Sequence, residues 1–196
     1  MSMLGITLLD EIVNKEQVTN PDDILNRLRK EVISSLKQKG DLKDQKDGMD
    51  IALCTIDRKN MKLHFAGAIN PLYLIHDSAI VNDKQIHNDS TMDNNLIEIK
   101  GDTMPIGISD KMDNFTSHEI DIKKGDTFYL FTDGFPDQFG GVNHKKFSYK
   151  QFKEQLIKTN SRPLSVQKLL LEKVLSEWMG NTNQTDDILL IGFRIK

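Results

Sequence analysis

Two acidic motifs stand where apolar segments begin or end, and their residue types and spacing could support chemistry. Asp133 follows the apolar run 127–131 and is itself followed by Gly134. A carboxylate at the end of a buried strand is held by a rigid element, and a glycine beside it lets other backbone approach closely. Asp186 and Asp187 stand at the mouth of a second apolar run. Two adjacent carboxylates repel each other unless a cation or hydrogen-bond donors hold them.

Acids at two neighbouring strand ends could share one hard cation. Oxygen ligands, with water completing the coordination shell, suit Mg²⁺ or Mn²⁺ better than zinc. Each motif alone also has an ordinary explanation, because an Asp-Gly pair after a strand is most often a turn. A pair of aspartates before a strand is likewise usually a solvated cap. The five histidines show no metal-ligand spacing and no partnered nucleophile, so none is assigned a catalytic role.

The elements that must position these acids follow from the hydrophobic pattern. Apolar residues at helical spacing predict helices over 4–13 and 20–36, the second with Asn20 as N-cap and Pro21 at its first position. Further helices are predicted from Ser148 to 157 and from Ser165 to 178. Strands are predicted over 49–56, 61–66, 72–75, 79–81, 96–99, 115–120, 127–131 and 187–193. This order predicts an α+β fold with mainly antiparallel sheets.

Composition excludes several classes of protein. The 196 residues carry a net charge of −3 with acids and bases interspersed, so no basic surface for nucleic acid or for an anionic membrane is expected. No apolar stretch approaches the roughly 20 residues that a membrane helix needs. The single cysteine, Cys54, suits a reducing cytosol, and its apolar neighbours indicate a small buried residue rather than a nucleophile. We expect one cytoplasmic domain over residues 1–196.

Taken together, the motifs resemble those of the metal-dependent serine/threonine phosphatases, in the branch of sporulation stage II protein E and the RsbU-type regulators of sigma-factor signalling. The resemblance extends over essentially the whole chain. The matching blocks occur in order at residues 47–53, 66–72, 104–107, 125–134, 137–141 and 184–187. The resemblance implies a sandwich of two antiparallel sheets flanked by helices, of the phosphatase type-two-C kind. The sequences of the blocks are similar to those found at the C-termini of large bacterial sensor proteins.

The resemblance also implies a site and a reaction. Asp133 and Asp186 correspond to metal ligands of the family, and Gly134 and Asp187 lie beside them as supporting residues. The cofactor would be Mn²⁺ or Mg²⁺, with two ions about 4 Å apart activating a bridging water. The substrate would be a phosphoserine or phosphothreonine ester on a regulatory protein of bacterial signalling. The implied attack is in line and needs no covalent enzyme intermediate.

One departure from the family pattern is large. The family's other core ligands are an Asp on an early strand and the Asp of an Asp-x-x-Gly-His-Gly block, and neither occurs in this sequence. The resemblance therefore implies that residues 1–196 are a C-terminal portion of the phosphatase domain, begin just after that block and lack its first strands. An upstream sensor domain is expected in the full-length protein. We expect weak metal binding, absent or residual catalysis, and pairing of exposed sheet edges with a second copy.

Two other functions are alternatives to a phosphatase. The first is a non-catalytic module of the same fold that binds a phosphoprotein or another partner. Asp133 and Asp186 favour an active parent protein, whereas the missing ligands favour inactivity of this polypeptide. The second is a carboxylate-metal nuclease, which needs a basic surface for its substrate. The charge balance argues against a nuclease.

Overall fold

The fold is α+β, as predicted, with antiparallel pairing in its sheets. The computed structural model describes residues 1–38, 47–76, 90–93 (backbone only) and 96–196. The helices are α1 (Ser2–Asp10), which continues as a π-helical segment (Glu11–Lys15), α2 (Pro21–Ser35), α3 (Gly134–Asp137), α4 (Tyr149–Thr159) and α5 (Leu164–Met179). The strands are β1 (Ile51–Asp57), β2 (Lys62–Ala68), β3 (Leu72–Ile75), β4 (Ser90–Asp93), β5 (Leu96–Ile99), β6 (His118–Asp121), β7 (Thr127–Phe131), β8 (Phe139–Gly140), β9 (Lys145–Lys146) and β10 (Leu190–Arg194).

The chain forms two compact units, of which the first comprises residues 1–72 and 100–122. Its sheet has the order β1-β2-β6, and α1 and α2 contribute to its hydrophobic core. Helix α2 starts as the sequence predicts, because Pro21 occupies a position where no backbone N–H is needed. Asn20 is the N-cap residue, although its side chain donates to Asp23 (3.3 Å) rather than accepting from a backbone amide.

Ile69, directly after β2 in this unit, has a left-handed backbone conformation. Its φ is +69°, and the N–H of Asn70 bonds to the carbonyl of Ala68 at 2.8 Å, which closes a tight three-residue turn around it. The N–H of Ile69 is held by the carbonyl of Asp102, also at 2.8 Å. A β-branched residue with positive φ is a genuine outlier, so this turn stores backbone strain.

The second unit comprises residues 73–99 and 123–196. Its main sheet has the order β10-β7-β3-β5-β4, and β8 and β9 form a small hairpin. Aromatic and aliphatic side chains from the sheet and from α3, α4 and α5 make one core, which includes Tyr73, Tyr129, Phe131, Phe135, Phe147, Phe152, Leu156 and Leu171. Strand β7 is largely buried, as its continuous apolar sequence predicts. No helix in the part of the chain that the structure describes is long and apolar enough to span a membrane.

Several element boundaries predicted from the sequence are wrong, among them those of β1, β2 and β6, which span 51–57, 62–68 and 118–121 rather than 49–56, 61–66 and 115–120. Helix α5 begins at Leu164 and has Pro163, not Ser165, as its N-cap, because the carbonyl of Pro163 already accepts from the N–H groups of Val166 (2.9 Å) and Gln167 (3.0 Å). Strand β10 begins at Leu190 rather than at 187. The elements α3, β4, β8 and β9 were not predicted. The strand predicted over 79–81, and His87, lie outside the described residues.

Candidate active site

The two acidic motifs meet at one end of the second unit's sheet. Strands β7 and β10 are antiparallel neighbours, and Phe131 at the end of one pairs with Leu190 at the start of the other. Beyond the strands the two chains stay together, because a side-chain carbon added at Gly134 would lie 2.5 Å from the carbonyl oxygen of Asp187. Gly134 therefore permits this close approach, and no larger residue fits without a shift of backbone.

Asp133 is an exposed side chain on a rigidly held backbone. Phe131 and Phe135, on either side of it, are each only 3% exposed. Both rings pack against Phe152, with ring centroids 5.0 and 4.9 Å away. The carbonyl of Asp133 accepts from the N–H of Asp137 (2.9 Å) in the short helix α3. The Asp-Gly pair is thus the start of a helical turn anchored in the core.

Asp186 is also exposed, and local hydrogen bonds order the segment that carries it. Its Oδ1 accepts from the N–H of Asp187 at 2.7 Å, and its carbonyl accepts from Nε2 of Gln184 at 2.7 Å. The amide of Asp187 therefore supplies one of the donors that two adjacent carboxylates need. The remaining carboxylate oxygen of Asp186 has lone pairs for a ligand.

Thr132 joins the two motifs with its hydroxyl group. Its Oγ1 donates to the carbonyl of Asp187 (2.8 Å) and accepts from the N–H of Leu189 (2.9 Å). Its own N–H donates to the carbonyl of Leu189 at 3.0 Å. The side chain thus takes a place that backbone would occupy in a regular ladder, which explains why β10 begins only at Leu190.

A tight contact also fixes the chain that follows α3. The N–H of Gly141 donates to the carbonyl of Trp178 at 2.8 Å, and a side-chain carbon added at Gly140 would lie 2.0 Å from that same oxygen. The Trp178 ring lies against Gly141, whose φ is +66°, and edge-on to Phe147 with centroids 5.4 Å apart. Both glycines of the block at 137–141 are therefore required by the close approach of Trp178, Gly140 by its backbone carbonyl and Gly141 by its ring.

Acidic side chains near Asp133 affect the Tyr149 phenol. Burial raises the pKa of the Tyr149 phenol, and the charges of Asp137, Asp133 and Glu98 raise it further. Tyr149 therefore stays protonated at neutral pH and can donate a hydrogen bond. Two of these acids are paired, since Lys146 Nζ lies 2.7 Å from Asp137 Oδ2 and Lys153 Nζ lies 2.7 Å from Glu98 Oε2.

The carboxylate oxygens at this site are of the type that a hard divalent cation prefers, but there are too few of them to complete its coordination shell. Asp133 and Asp186 offer exposed carboxylate oxygens at one sheet end, which suits Mg²⁺ or Mn²⁺. Within residues 1–38, 47–76 and 96–196, no group of three or more His, Cys, Asp or Glu side chains could hold a metal ion. The two aspartates can therefore supply only part of the ligand set.

The sequence motifs that led to Asp133 and Asp186 gave no role to Thr132 or Gln138, which contact both acidic segments or their flanks. Both residues lie inside the matched blocks at 125–134 and 137–141. Each is a polar, uncharged residue that has no obvious chemical role inside its block, and this could have indicated a structural role. Their partners are distant in sequence, so the contacts themselves could not be derived.

Comparison with known proteins defines the family. The model of the family described as stage II sporulation protein E (SpoIIE) matches residues 1–196. The chain belongs to the SpoIIE family. The resemblance noted from the sequence motifs is thereby confirmed. No curated protein matches the chain.

Solved structures of similar proteins share the fold. The SiaA-PP2C domain of Pseudomonas aeruginosa is 27% identical, with a TM-score of 0.79 and an alignment covering 99% of this chain and 68% of that one. The PP2C phosphatase domain of the cell fate determinant SpoIIE from Bacillus subtilis, solved with a fragment of its regulatory domain, is 20% identical, with a TM-score of 0.64. That alignment covers 97% of this chain and 48% of the other, and shows the fold alone. The chain therefore has a protein phosphatase fold of the PP2C kind.

Proposed function

We propose that Asp133 and Asp186 form part of a Mn²⁺ or Mg²⁺ centre for hydrolysis of phosphoserine or phosphothreonine esters on a regulatory protein of bacterial signalling. The observation that carries this proposal is the junction of β7 and β10, where both exposed carboxylates follow or precede an anchored strand. Membership of the SpoIIE family and the likeness to the SiaA-PP2C domain support it.

In this mechanism the protein residues hold and orient the reacting groups. A bound divalent cation supplies an acidified water and offsets charge on phosphoryl oxygens. Asp133 and Asp186 hold the cation, while Thr132 and Gly134 keep their two segments in contact. A covalent enzyme intermediate is not required, which agrees with the state of Cys54. Burial raises the pKa of its thiol to about 11, so at neutral pH the nucleophilic thiolate is scarce.

We further infer that Asp133 and Asp186 need additional carboxylate ligands for efficient turnover. Such ligands would come from polypeptide outside residues 1–196, which would then be a C-terminal portion of a phosphatase domain in a cytoplasmic, sensor-linked protein. The alignment to 68% of the SiaA-PP2C chain supports this proposal. By themselves, residues 1–196 would bind a cation weakly and turn over substrate slowly.

A second candidate function is a non-catalytic module of the same fold that binds a phosphoprotein. The observation that favours it is the lack of a third metal-ligating side chain near the acidic pair, within the described residues. The two functions differ in one measurable property. A catalytic centre needs Mn²⁺ or Mg²⁺ at Asp133 and Asp186, whereas phosphoprotein binding by such a module does not.

The proposed metal centre can be tested by Mn²⁺ titration of the purified chain, followed by water-proton relaxation. Asp133→Asn and Asp186→Asn should each weaken Mn²⁺ binding about tenfold or more, because each removes a charged ligand. Asp121→Asn, at an exposed site on β6, should leave it unchanged. Equal affinity in all four proteins would refute the proposed centre. Fast Mn²⁺-dependent turnover of para-nitrophenyl phosphate by residues 1–196 would refute the need for additional ligands.

We also infer that a second copy of the chain pairs along β10. Among the described strands, β10 is at the edge of its sheet, and Leu189 and Ile191 remain 54% and 47% exposed. A cavity of about 680 Å³ is lined by residues 188–192 and by both apolar and polar side chains of α5, including Lys168 and Glu172. An edge with exposed apolar side chains and unpaired backbone groups favours strand pairing.

A further inference from the structure

Gln138 connects the chain that follows Asp133 with the loop that leads to Asp186. It comes directly after α3 and is fully buried. Its Nε2 donates to the carbonyl of Asn183 at 2.9 Å, and its Oε1 accepts from the N–H of Thr185 at 3.2 Å. Both ends of one neutral amide are therefore used to hold the loop immediately before the second acidic motif.

The backbone of Gln138 is itself fixed by neighbouring elements. Its carbonyl accepts from Nε1 of Trp178 at 3.0 Å and from the N–H of Phe147 at 2.9 Å. Its N–H donates to the carbonyl of Phe135 at 3.3 Å, inside the core. These partners lie in α3, in α5 and just before α4, so Gln138 is fixed to several elements and cannot readily move with the loop that it holds.

The amide is the side chain whose chemistry suits this position. It must donate to one backbone group and accept from another, which glutamate and lysine cannot both do in their charged forms. It also adds no charge beside Asp133 and Asp186. A cation bound there would face the full negative charge of both carboxylates, because the Gln138 side chain neutralises neither of them.

We propose that Gln138 is a positioning residue, which sets the separation of the Asp133 and Asp186 carboxylates by holding the 183–185 loop against the end of α3. The strands β7 and β10 bring the two segments together, but Asp186 lies four residues before β10 begins. A second attachment on its other side is therefore needed to restrict it, and Gln138 supplies that attachment. The part of this proposal that concerns cation binding rests on the proposed function.

The test compares Gln138→Met with Gln167→Met. Gln167 is a matched control because it is 2% exposed and its amide bonds to Tyr129 Oη (2.7 Å) and to the carbonyls of Asn160 (3.3 Å) and Arg162 (3.0 Å). Both variants remove buried amide hydrogen bonds from the same unit, so both should lower the melting temperature. Neither changes the charge of the protein.

The deciding readout is hydrogen exchange of the Thr185 amide, which needs no metal. Gln138→Met should accelerate it about tenfold or more relative to wild type, and Gln167→Met should not. Mn²⁺ affinity, by the relaxation titration, should fall about tenfold in Gln138→Met only. Gln138→Glu keeps the acceptor for Thr185 and loses the donor to Asn183, so its Thr185 exchange rate should fall between those of wild type and Gln138→Met. It serves if Gln138→Met does not fold, and it is compared by exchange alone because it adds a charge near the acidic pair.

The outcomes separate this proposal from the proposed function. Unchanged Thr185 exchange in Gln138→Met, or equal acceleration in Gln167→Met, would overturn the positioning role. Faster exchange with unchanged Mn²⁺ affinity would overturn its link to the carboxylate pair. If wild type binds no Mn²⁺, the metal centre is wrong, while the exchange rates still decide whether Gln138 orders the loop.

Discussion

Thr132 shows at the residue scale how a single hydroxyl can extend a sheet beyond its last regular pair. It bonds to the carbonyl of Asp187 and to the N–H of Leu189 at once, in the segment that leads into β10. Valine has nearly the same shape but no hydroxyl. Thr132→Val should therefore remove both hydrogen bonds and, because they lie at an exposed site, destabilise the protein by about 0.5–1.5 kcal/mol.

Thr132→Ser is the matched variant for this prediction, because it keeps the hydroxyl and loses only a methyl group. Urea denaturation should rank stability as wild type, then Ser, then Val. A valine variant as stable as the serine variant would show that water replaces both hydrogen bonds. In that case the Thr132 hydroxyl would have no part in joining the acidic motifs.

Of the candidate site, the sequence predicted the two acidic residues but not the residues that hold them in place. Asp133 and Asp186 were recognisable because charge beside an apolar run is conspicuous. The residues that hold them were not, since Thr132 and Gln138 contact residues 45 to 57 positions away. Such contacts depend on how strands pair in three dimensions, and local pattern does not specify that.

At the scale of elements, the turn around Ile69 predicts a stabilising substitution. Asparagine tolerates positive φ far better than a β-branched residue, and Ile69 is 43% exposed, so little apolar burial is lost. Ile69→Asn should raise the free energy of unfolding by about 1 kcal/mol or more. Ile56→Asn, at a site 37% exposed but inside β1, should lower it. Thermal denaturation of the two variants tests this, and stabilisation by neither would mean that the Ile69 turn is not strained.

Element boundaries were predictable where turn-forming residues flank an apolar run. Strands β3, β5 and β7 have the predicted bounds because Pro71, the polar residues before β5, and Gly125 with Asp126 interrupt the hydrophobic pattern. The predicted start of β10 was wrong because the side chain of Thr132, directly after β7, replaces the backbone partner there. The hairpin of β8 and β9 was missed because two-residue strands have too few residues to show a period.

At the scale of the whole molecule, pairing through β10 predicts a concentration-dependent dimer. Light scattering should show the dimer population growing with protein concentration. Ile191→Lys should abolish it, because a charge on an edge strand opposes strand addition. Leu169→Lys, at a site 66% exposed on α5, should not. A wild-type chain that stays monomeric at high concentration would show that β10 does not pair with a second copy.

The position of Trp178 has a practical consequence. It is the only tryptophan in the chain, and its indole N–H bonds to the carbonyl of Gln138 while its ring covers Gly141. Intrinsic fluorescence excited at the red edge of absorption therefore originates at one place, next to the residue that holds the Asp186 loop. The unlabelled protein thus carries an optical reporter of its own acidic site, and emission can be followed in real time as cations or phosphopeptides are added.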